Sequence, residues 1–138
     1  MKTETKLTAQ LVRAGRECKA EILSLKGVKP TEQGSQTPGW PDIFVSHPYW
    51  WGWIEFKGPR TLISPIQKRV IKNLMERSTP VWVVRFLDQE RDYWHFRIED
   101  YESRMYGTFA VEDSTQKVFV ELLRALTKTD AILMSVKD

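Results

Sequence analysis

The sequence contains a single cysteine, two histidines and no run of apolar residues long enough to cross a bilayer. One cysteine, Cys18, excludes an intrachain disulfide and a cysteine-rich zinc site, and it favours a reducing compartment. A membrane-spanning helix needs about 20 consecutive apolar residues, so we expect no membrane partner. The first residues, MKTETKLTAQ, lack the apolar segment of a signal peptide. We therefore expect a cytoplasmic protein.

The composition that is present is typical of one globular domain. The 138 residues are 41% hydrophobic and 28% charged, which excludes disorder, collagen and a pure coiled coil. A chain of this length buries roughly two thirds of its unfolded surface and can build one core. We predict a single domain over residues 1–138, with a core in 1–87 and an extension of the same domain in 88–138.

Charge is distributed unevenly along the chain. The net charge is +3, but residues 1–87 carry +7 and residues 88–138 carry −4. A basic region indicates a polyanionic partner such as nucleic acid, although a chance imbalance on a solvated surface explains it equally. The acidic extension is a poor candidate for the main surface that binds such a partner.

Hydrophobic periodicity predicts the element order α-β-β-β-α-β-β-(β)-α. Helices are predicted at 4–14, with a stop at Gly15, from Ser64-Pro65 to 77, and after a cap at Ser114. Strands are predicted within 17–25 and at 42–47, 51–57, 81–86 and 92–98, with a Gly- and Pro-rich loop at 27–41. This order predicts an α/β fold with a mixed β-sheet and helices on both faces.

Three charged residues fall where two predicted strands come together. Asp42 opens one strand, and Glu55 and Lys57 point to the same side of the next strand. If the two strands pair, all three side chains meet at one edge of the sheet. Carboxylate oxygens suit Mg²⁺ or Mn²⁺, such a metal lowers the pKa of bound water, and a lysine stabilises a phosphate transition state. A turn aspartate and an ordinary half-buried strand explain the same residues without chemistry.

The wider pattern around these residues is more specific than the charges alone. It consists of G-x-P-D (Gly39, Pro41, Asp42), I-E-x-K (Ile54, Glu55, Lys57) and S-P-x-Q (Ser64, Pro65, Gln67). Together these elements resemble the VRR-NUC branch of the PD-(D/E)xK nuclease superfamily, over about residues 4–87. The loop at 27–41 is longer than the glycine loop of that branch.

The resemblance implies a restriction-endonuclease-like core in αβββαβ order and an Mg²⁺-dependent DNA endonuclease, with Mn²⁺ able to substitute. It also implies structure-specific cutting of branched or junction DNA in repair, recombination or phage DNA processing, in the host cytoplasm if the protein is phage-encoded. No small-molecule cofactor is expected. A two-fold branched substrate such as a four-way junction favours a homodimer.

The resemblance also implies the metal ligands and the catalytic residues. Asp42 and Glu55 would bind the metal, and Lys57 would assist the attacking water. Glu4 on the first helix is the candidate for a further ligand, with Glu17 and Glu21 as alternatives if that helix is longer. A glutamate in the first turn also simply stabilises the helix dipole.

Gln67 has two interpretations that can hold together. Ser64-x-x-Gln67 is a capping box, in which the glutamine bonds back to the backbone of the capping residue. The resemblance implies instead a position near Lys57 and the phosphate, as part of the catalytic set.

Basic and aromatic residues near these motifs are candidate nucleic-acid contacts. They are Arg60, Lys68, Arg69, Lys72, Lys26, Lys29 and Trp50. The three on the central helix also fit a solvated helix face. Trp50, at a predicted hairpin turn, would stack on an unpaired base, wedge a junction or anchor a subunit interface, whereas Trp51 and Trp53 share the parity of Glu55 and are predicted core residues.

Two other classes of function compete with the nuclease. One is a catalytically silent nucleic-acid-binding module on the same fold, and the other is a protein-interaction module that uses the aromatic turn and the acidic tail. Cleavage in Mn²⁺ distinguishes the nuclease from the silent module. Salt-dependent DNA affinity distinguishes both from the interaction module.

Overall fold

The computed structural model describes residues 4–25, 38–90, 93–112 and 115–137, and within these ranges the chain forms three helices and six strands. The elements are α1 (Glu4–Glu17), β1 (Glu21–Ser24), β2 (Ile43–His47), β3 (Trp50–Lys57), α2 (Pro65–Glu76), β4 (Val81–Glu90), β5 (Tyr93–Glu99), β6 (Met105–Glu112) and α3 (Thr115–Lys137). The predicted element order is confirmed. None of the helices in these ranges combines the length and the hydrophobicity that a bilayer crossing requires.

All six strands form one mixed sheet in the sequential order β1-β2-β3-β4-β5-β6. Strands β1, β2 and β3 are an antiparallel meander, β3 and β4 are parallel, and β4, β5 and β6 are a second antiparallel meander. Helix α2 is the crossover that the parallel pair requires. The pairing of β4 with β5 carries the sheet from the predicted core into the predicted extension, and the predicted α/β fold class is confirmed.

Helices cover the two faces of the sheet unequally. Helices α1 and α3 pack together on one face, over the larger core that contains Ile54 and Phe56. Helix α2 lies on the opposite face, over a smaller core around Trp53. Because side chains alternate along β3, Glu55 and Lys57 lie on this second face, which we name the α2 face.

Helix α1 continues three residues past its predicted end. The prediction that Gly15 stops the helix is wrong, since α1 ends at Glu17 and the positive φ of 65° belongs to Lys19. A Cβ atom on Gly15 would lie 2.7 Å from the ring of Phe119. The glycine is therefore a position of close approach between α1 and α3 rather than a helix terminator.

Two indole groups attach α3 to the sheet. Trp50 Nε1 donates a hydrogen bond of 2.6 Å to Asp130 Oδ2, and Trp82 Nε1 donates one of 2.7 Å to Asp130 Oδ1. Both rings are buried, with 5% of Trp50 and 1% of Trp82 exposed. One carboxylate thus satisfies two donors that would be costly to bury without acceptors.

Candidate active site

Asp42 and Glu55 are neighbours across two antiparallel strands. Ile43 pairs with Ile54, so the next position on each strand places Asp42 beside Glu55. The backbone N–H of Phe56 donates a hydrogen bond of 2.9 Å to Asp42 Oδ2. This bond orients the aspartate across the end of β3, and the fold therefore brings together the two carboxylates that the sequence separates by twelve residues.

Glu55 and Lys57 form a buried ion pair on the α2 face. Lys57 Nζ lies 3.2 Å from Glu55 Oε2, and the two side chains are 7% and 3% exposed. Gln67 Nε2 donates a second hydrogen bond, of 3.0 Å, to the same oxygen. A buried carboxylate is costly unless it is paired and hydrogen-bonded, and here an ammonium and an amide hold it in one position.

Gln67 connects the start of α2 to this carboxylate. Its Oε1 accepts a hydrogen bond of 3.0 Å from the backbone N–H of Ser64, and its own N–H donates one of 3.2 Å to Ser64 Oγ. These two bonds are the predicted capping box, with Pro65 in the first turn. One end of the amide caps the helix while the other end positions Glu55, so the structural and the site-proximal interpretations both describe Gln67.

Gly39 brings the first motif into contact with the third. Its φ is +81°, and a Cβ atom there would lie 2.8 Å from the carbonyl oxygen of Ile66. A side chain at this position would therefore meet both strain and a backbone atom. The loop that leads to Asp42 therefore packs on the first turn of α2, at the residue before Gln67. The first motif thus places Asp42 next to Glu55, and the third motif places Gln67 there.

The carboxylates of Asp42 and Glu55 fit a divalent cation. Mg²⁺ is often held by one or two carboxylates together with water and substrate phosphates, so two adjacent oxygen donors suffice for it. Among the described side chains, no group of three or more His, Cys, Asp or Glu residues is placed to share a metal ion. The pair therefore supports a site that is completed by water and substrate rather than a closed protein cage.

The candidate third ligand is not placed by the structure. Glu4 begins α1, but its side chain lies outside the described residues. Both alternatives, Glu17 and Glu21, are exposed. Glu21 pairs with Ser46, at the end of β2 away from Asp42, so this glutamate is not at the carboxylate pair.

Four of the predicted cationic contacts are exposed, as a phosphate contact requires. They are Arg60, Lys68, Arg69 and Lys72. Lys72 Nζ lies 4.0 Å from Glu76 on the same helix, which is a weak surface pair. Lys26 and Lys29 fall outside the described residues.

The predictions for the aromatic run were wrong for two of its members. Trp50 is buried and bonded to Asp130, so it is not a surface for stacking on nucleic acid. Trp51 was predicted to be a core residue, but 51% of it is exposed. Gly52 makes room for the buried Trp50 ring, because a Cβ atom at Gly52 would lie 2.7 Å from that ring. Trp53 is buried, as predicted.

Sequence reasoning missed Arg85, which is the cross-strand neighbour of Lys57. Its side chain is buried and donates hydrogen bonds of 2.7 Å to the carbonyl oxygens of both Gly58 and Thr61. It thereby holds the linker after β3, which carries Arg60, against the sheet. The available signal was a lone arginine inside the apolar run VWVVRF, since a buried arginine needs dedicated acceptors.

Comparison with known proteins finds similarity at the level of structure. No family model matches the chain, and no curated protein matches it. A solved structure of Hjc, a Holliday junction resolvase from Archaeoglobus fulgidus, is similar at 18% sequence identity and a TM-score of 0.46, over 87% of this chain and 96% of that chain. Values this low carry no argument about function.

Proposed function

We propose that this protein is a metal-dependent DNA endonuclease that hydrolyses phosphodiester bonds. The observation that carries the proposal is the meeting of Asp42, Glu55, Lys57 and Gln67 at one end of β2 and β3. An ordinary half-buried strand does not require an aspartate, a glutamate and a lysine to converge there. The basic residues on α2 and its linker supply a surface for the phosphate backbone.

Each residue has a distinct task in this proposal. Asp42 and Glu55 would hold Mg²⁺, or Mn²⁺ in its place, and the bound cation supplies charge neutralisation at the phosphate and a more acidic water. Lys57 places an ammonium 3.2 Å from Glu55, where it can orient the attacking water and stabilise charge that develops on the phosphate. Gln67 keeps the Glu55 carboxylate in position through its hydrogen bond.

The form of the DNA and the assembly of the enzyme belong to the same proposal. We infer branched or junction DNA as the substrate and a homodimer as the active form, because the motifs resemble those of the VRR-NUC branch and because a two-fold substrate suits a two-fold enzyme. No small-molecule cofactor is needed for the reaction.

The test is cleavage of labelled duplex, single strand, splayed fork, flap and four-way junction in Mg²⁺ and in Mn²⁺. Lys57→Ala and Asp42→Asn should remain folded and cleave at least about 10²- to 10³-fold more slowly, as expected for loss of a transition-state contact. Lys128→Ala, which removes an exposed lysine on α3, is the matched control and should cleave as the wild type does.

Two outcomes would contradict the nuclease. Undiminished cleavage by either site variant would mean that another site performs the reaction. If the folded wild type cleaves no DNA in either metal but binds it, the protein is a silent binding module on this fold.

A further inference from the structure

Four aromatic rings form a continuous row on the α2 face. Trp40 contacts Trp53 with ring centroids 5.4 Å apart, Trp53 contacts Phe44 at 5.2 Å, and Phe44 contacts Trp51 at 6.4 Å. We name this row the aromatic ladder. None of these four rings has a role assigned by the three sequence motifs or by the proposed chemistry.

The ladder lies on the same side of the sheet as the carboxylate pair. Trp51, Trp53 and Glu55 alternate along β3 and so share a face, and Phe44 pairs directly with Trp53. At about 3.3 Å per residue, Trp51 lies roughly 13 Å along the strand from Glu55. That length spans about four nucleotides of a stacked strand at 3.4 Å each.

Both ends of the ladder are open to solvent. Trp40 is 39% exposed and Trp51 is 51% exposed, whereas Trp53, which contacts Trp40, is 9% exposed. Leu23, the cross-strand neighbour of Phe44, adds a further side chain that is 56% exposed. Large aromatic rings exposed to water at both ends of one row, with Leu23 beside them, form the kind of exposed patch that marks a binding surface.

Cations border the ladder at its catalytic end. The loop that carries Trp40 lies on the first turn of α2, and the exposed Lys68 and Arg69 follow in that helix. Exposed Arg60 lies in the linker directly after β3. Aromatic rings beside a positively charged track are the arrangement by which proteins hold unpaired nucleic-acid strands, since every base has a face that can stack.

We infer that the aromatic ladder is a stacking platform for unpaired bases next to the scissile phosphate. The inference rests on the proposed function for its location, and it narrows the substrate class to DNA with a single-stranded segment beside the cleavage point. It also moves the base-stacking role from Trp50, which is buried, to Trp51 and Trp40.

The experiment measures binding without cleavage, in EDTA, by fluorescence anisotropy. The probes are an oligothymidylate of about 20 nucleotides, longer than the roughly 4–16 nucleotides that one single-strand binding module covers, an abasic strand of the same length, and a blunt duplex. The abasic strand keeps the phosphates and lacks the bases, so the difference between it and oligothymidylate isolates stacking.

Trp51→Ala and Trp40→Ala should each weaken oligothymidylate binding about tenfold, in line with one lost base–aromatic contact. Affinity for the abasic strand and for the duplex should change less than about twofold, because phosphate contacts supply that binding. Trp51→Phe should retain most of the affinity, whereas Trp51→Leu should behave like the alanine variant. Tyr93→Ala, which removes a half-exposed ring on β5, is the matched control and should bind as the wild type does.

Several results would overturn the inference. Equal affinity of the wild type for the abasic and the base-containing strand would exclude stacking, and so would full binding by Trp51→Leu. If the wild type binds no oligothymidylate and Trp51→Ala instead converts a dimer to a monomer in sedimentation, the ladder is a protein interface.

Binding and cleavage measured on the same protein distinguish a failure of this inference from a failure of the proposed nuclease. Base-dependent binding without cleavage in Mg²⁺ or Mn²⁺ would support the ladder and contradict the enzyme. Cleavage with base-independent binding would do the reverse.

Discussion

Two buried glutamates on the α2 face make the most instructive comparison in this molecule. Glu55 on β3 pairs across the sheet with Val83, and Val83 pairs in turn with Glu99 on β5. The two carboxylates therefore lie in one cross-strand row, and as whole residues Glu55 and Glu99 are 2% and 1% exposed. Residue type, face and burial are the same, so only their partners can give them different tasks.

Glu99 is surrounded by guanidinium groups. Arg85 donates two hydrogen bonds to it, of 2.9 Å and 3.1 Å, and Arg97 donates another. Arginine stays charged, and a paired fork of this kind is geometrically rigid. Two permanent cations on one carboxylate leave little capacity for a metal or a reacting group.

A second polar cluster occupies the turn that follows Glu99. Asp100 Oδ1 accepts hydrogen bonds from the backbone N–H groups of Glu102 and Arg104, and Tyr106 donates one of 3.2 Å to Asp100 Oδ2. Burial of the phenol and the charge of Asp100 raise the pKa of Tyr106 above its ordinary value. The buried carboxylates of Glu99 and Asp100 thus hold structural hydrogen bonds.

Glu55 has a lysine and a neutral amide as partners instead, and a second carboxylate, Asp42, beside it. Two adjacent carboxylates are the oxygen donors that a divalent cation such as Mg²⁺ prefers. The comparison teaches that the chemistry of a buried glutamate is decided by what surrounds it, and not by its burial.

The largest expected effect is a difference in stability between variants of the two glutamates. Glu99→Gln should lower the free energy of unfolding by about 3–5 kcal/mol, because it leaves Arg85 charged, buried and without its carboxylate. Glu55→Gln should cost about 1–2 kcal/mol, since the long stem of Lys57 lets its ammonium shift toward water. Urea unfolding at neutral pH measures both free energies. Equal losses of stability in the two variants would contradict the different tasks assigned to Glu55 and Glu99.

A second, smaller effect is stabilisation by metal. Mg²⁺ at about 100 times its dissociation constant should stabilise the wild type by about 2.7 kcal/mol, as ligand linkage requires. Asp42→Asn should lose this gain, whereas Lys128→Ala should keep it. Thermal unfolding with and without Mg²⁺ measures the shift. An undiminished gain in Asp42→Asn would place the cation elsewhere.

The smallest effect distinguishes the helix-capping role of Gln67 from its role in positioning Glu55. Ser64→Ala and Gln67→Ala each break the capping box and should each cost about 1 kcal/mol of stability. Only Gln67→Ala also releases the Glu55 carboxylate, so only this variant should slow cleavage, by about tenfold for one hydrogen bond of about 1.4 kcal/mol. Equal rates for the two variants would reduce Gln67 to a helix cap.

Local rules in the sequence predict much of the fold and the placement of the motif residues. Strand alternation places Glu55 and Lys57 on one face, and capping preference places Gln67 in the first turn of a helix after Ser64. Both are present in the structure. The element order also follows from periodicity, because each helix and strand is encoded within its own segment.

Prediction fails where a residue's partner is remote in sequence. Trp50 bonds to a carboxylate 80 residues away, and Arg85 bonds to linker carbonyls 27 and 24 residues away. No local pattern specifies such pairs. The aromatic ladder escaped detection for the same reason, since Trp40 and Trp53 meet only after β2 and β3 have paired.

The double hydrogen bond to Asp130 has a consequence for the order in which the chain is built. Trp50 and Trp82 precede their shared acceptor, Asp130, by 80 and 48 residues. During translation neither indole can form its hydrogen bond until Asp130 has been synthesised. Contacts of such separation form late and slow the final folding step. The residues proposed for cleavage all lie within the first 67 positions, whereas α3, the helix that covers the opposite face of their sheet, spans Thr115–Lys137. The sheet that positions the proposed site is therefore covered on both faces only after α3 has been synthesised.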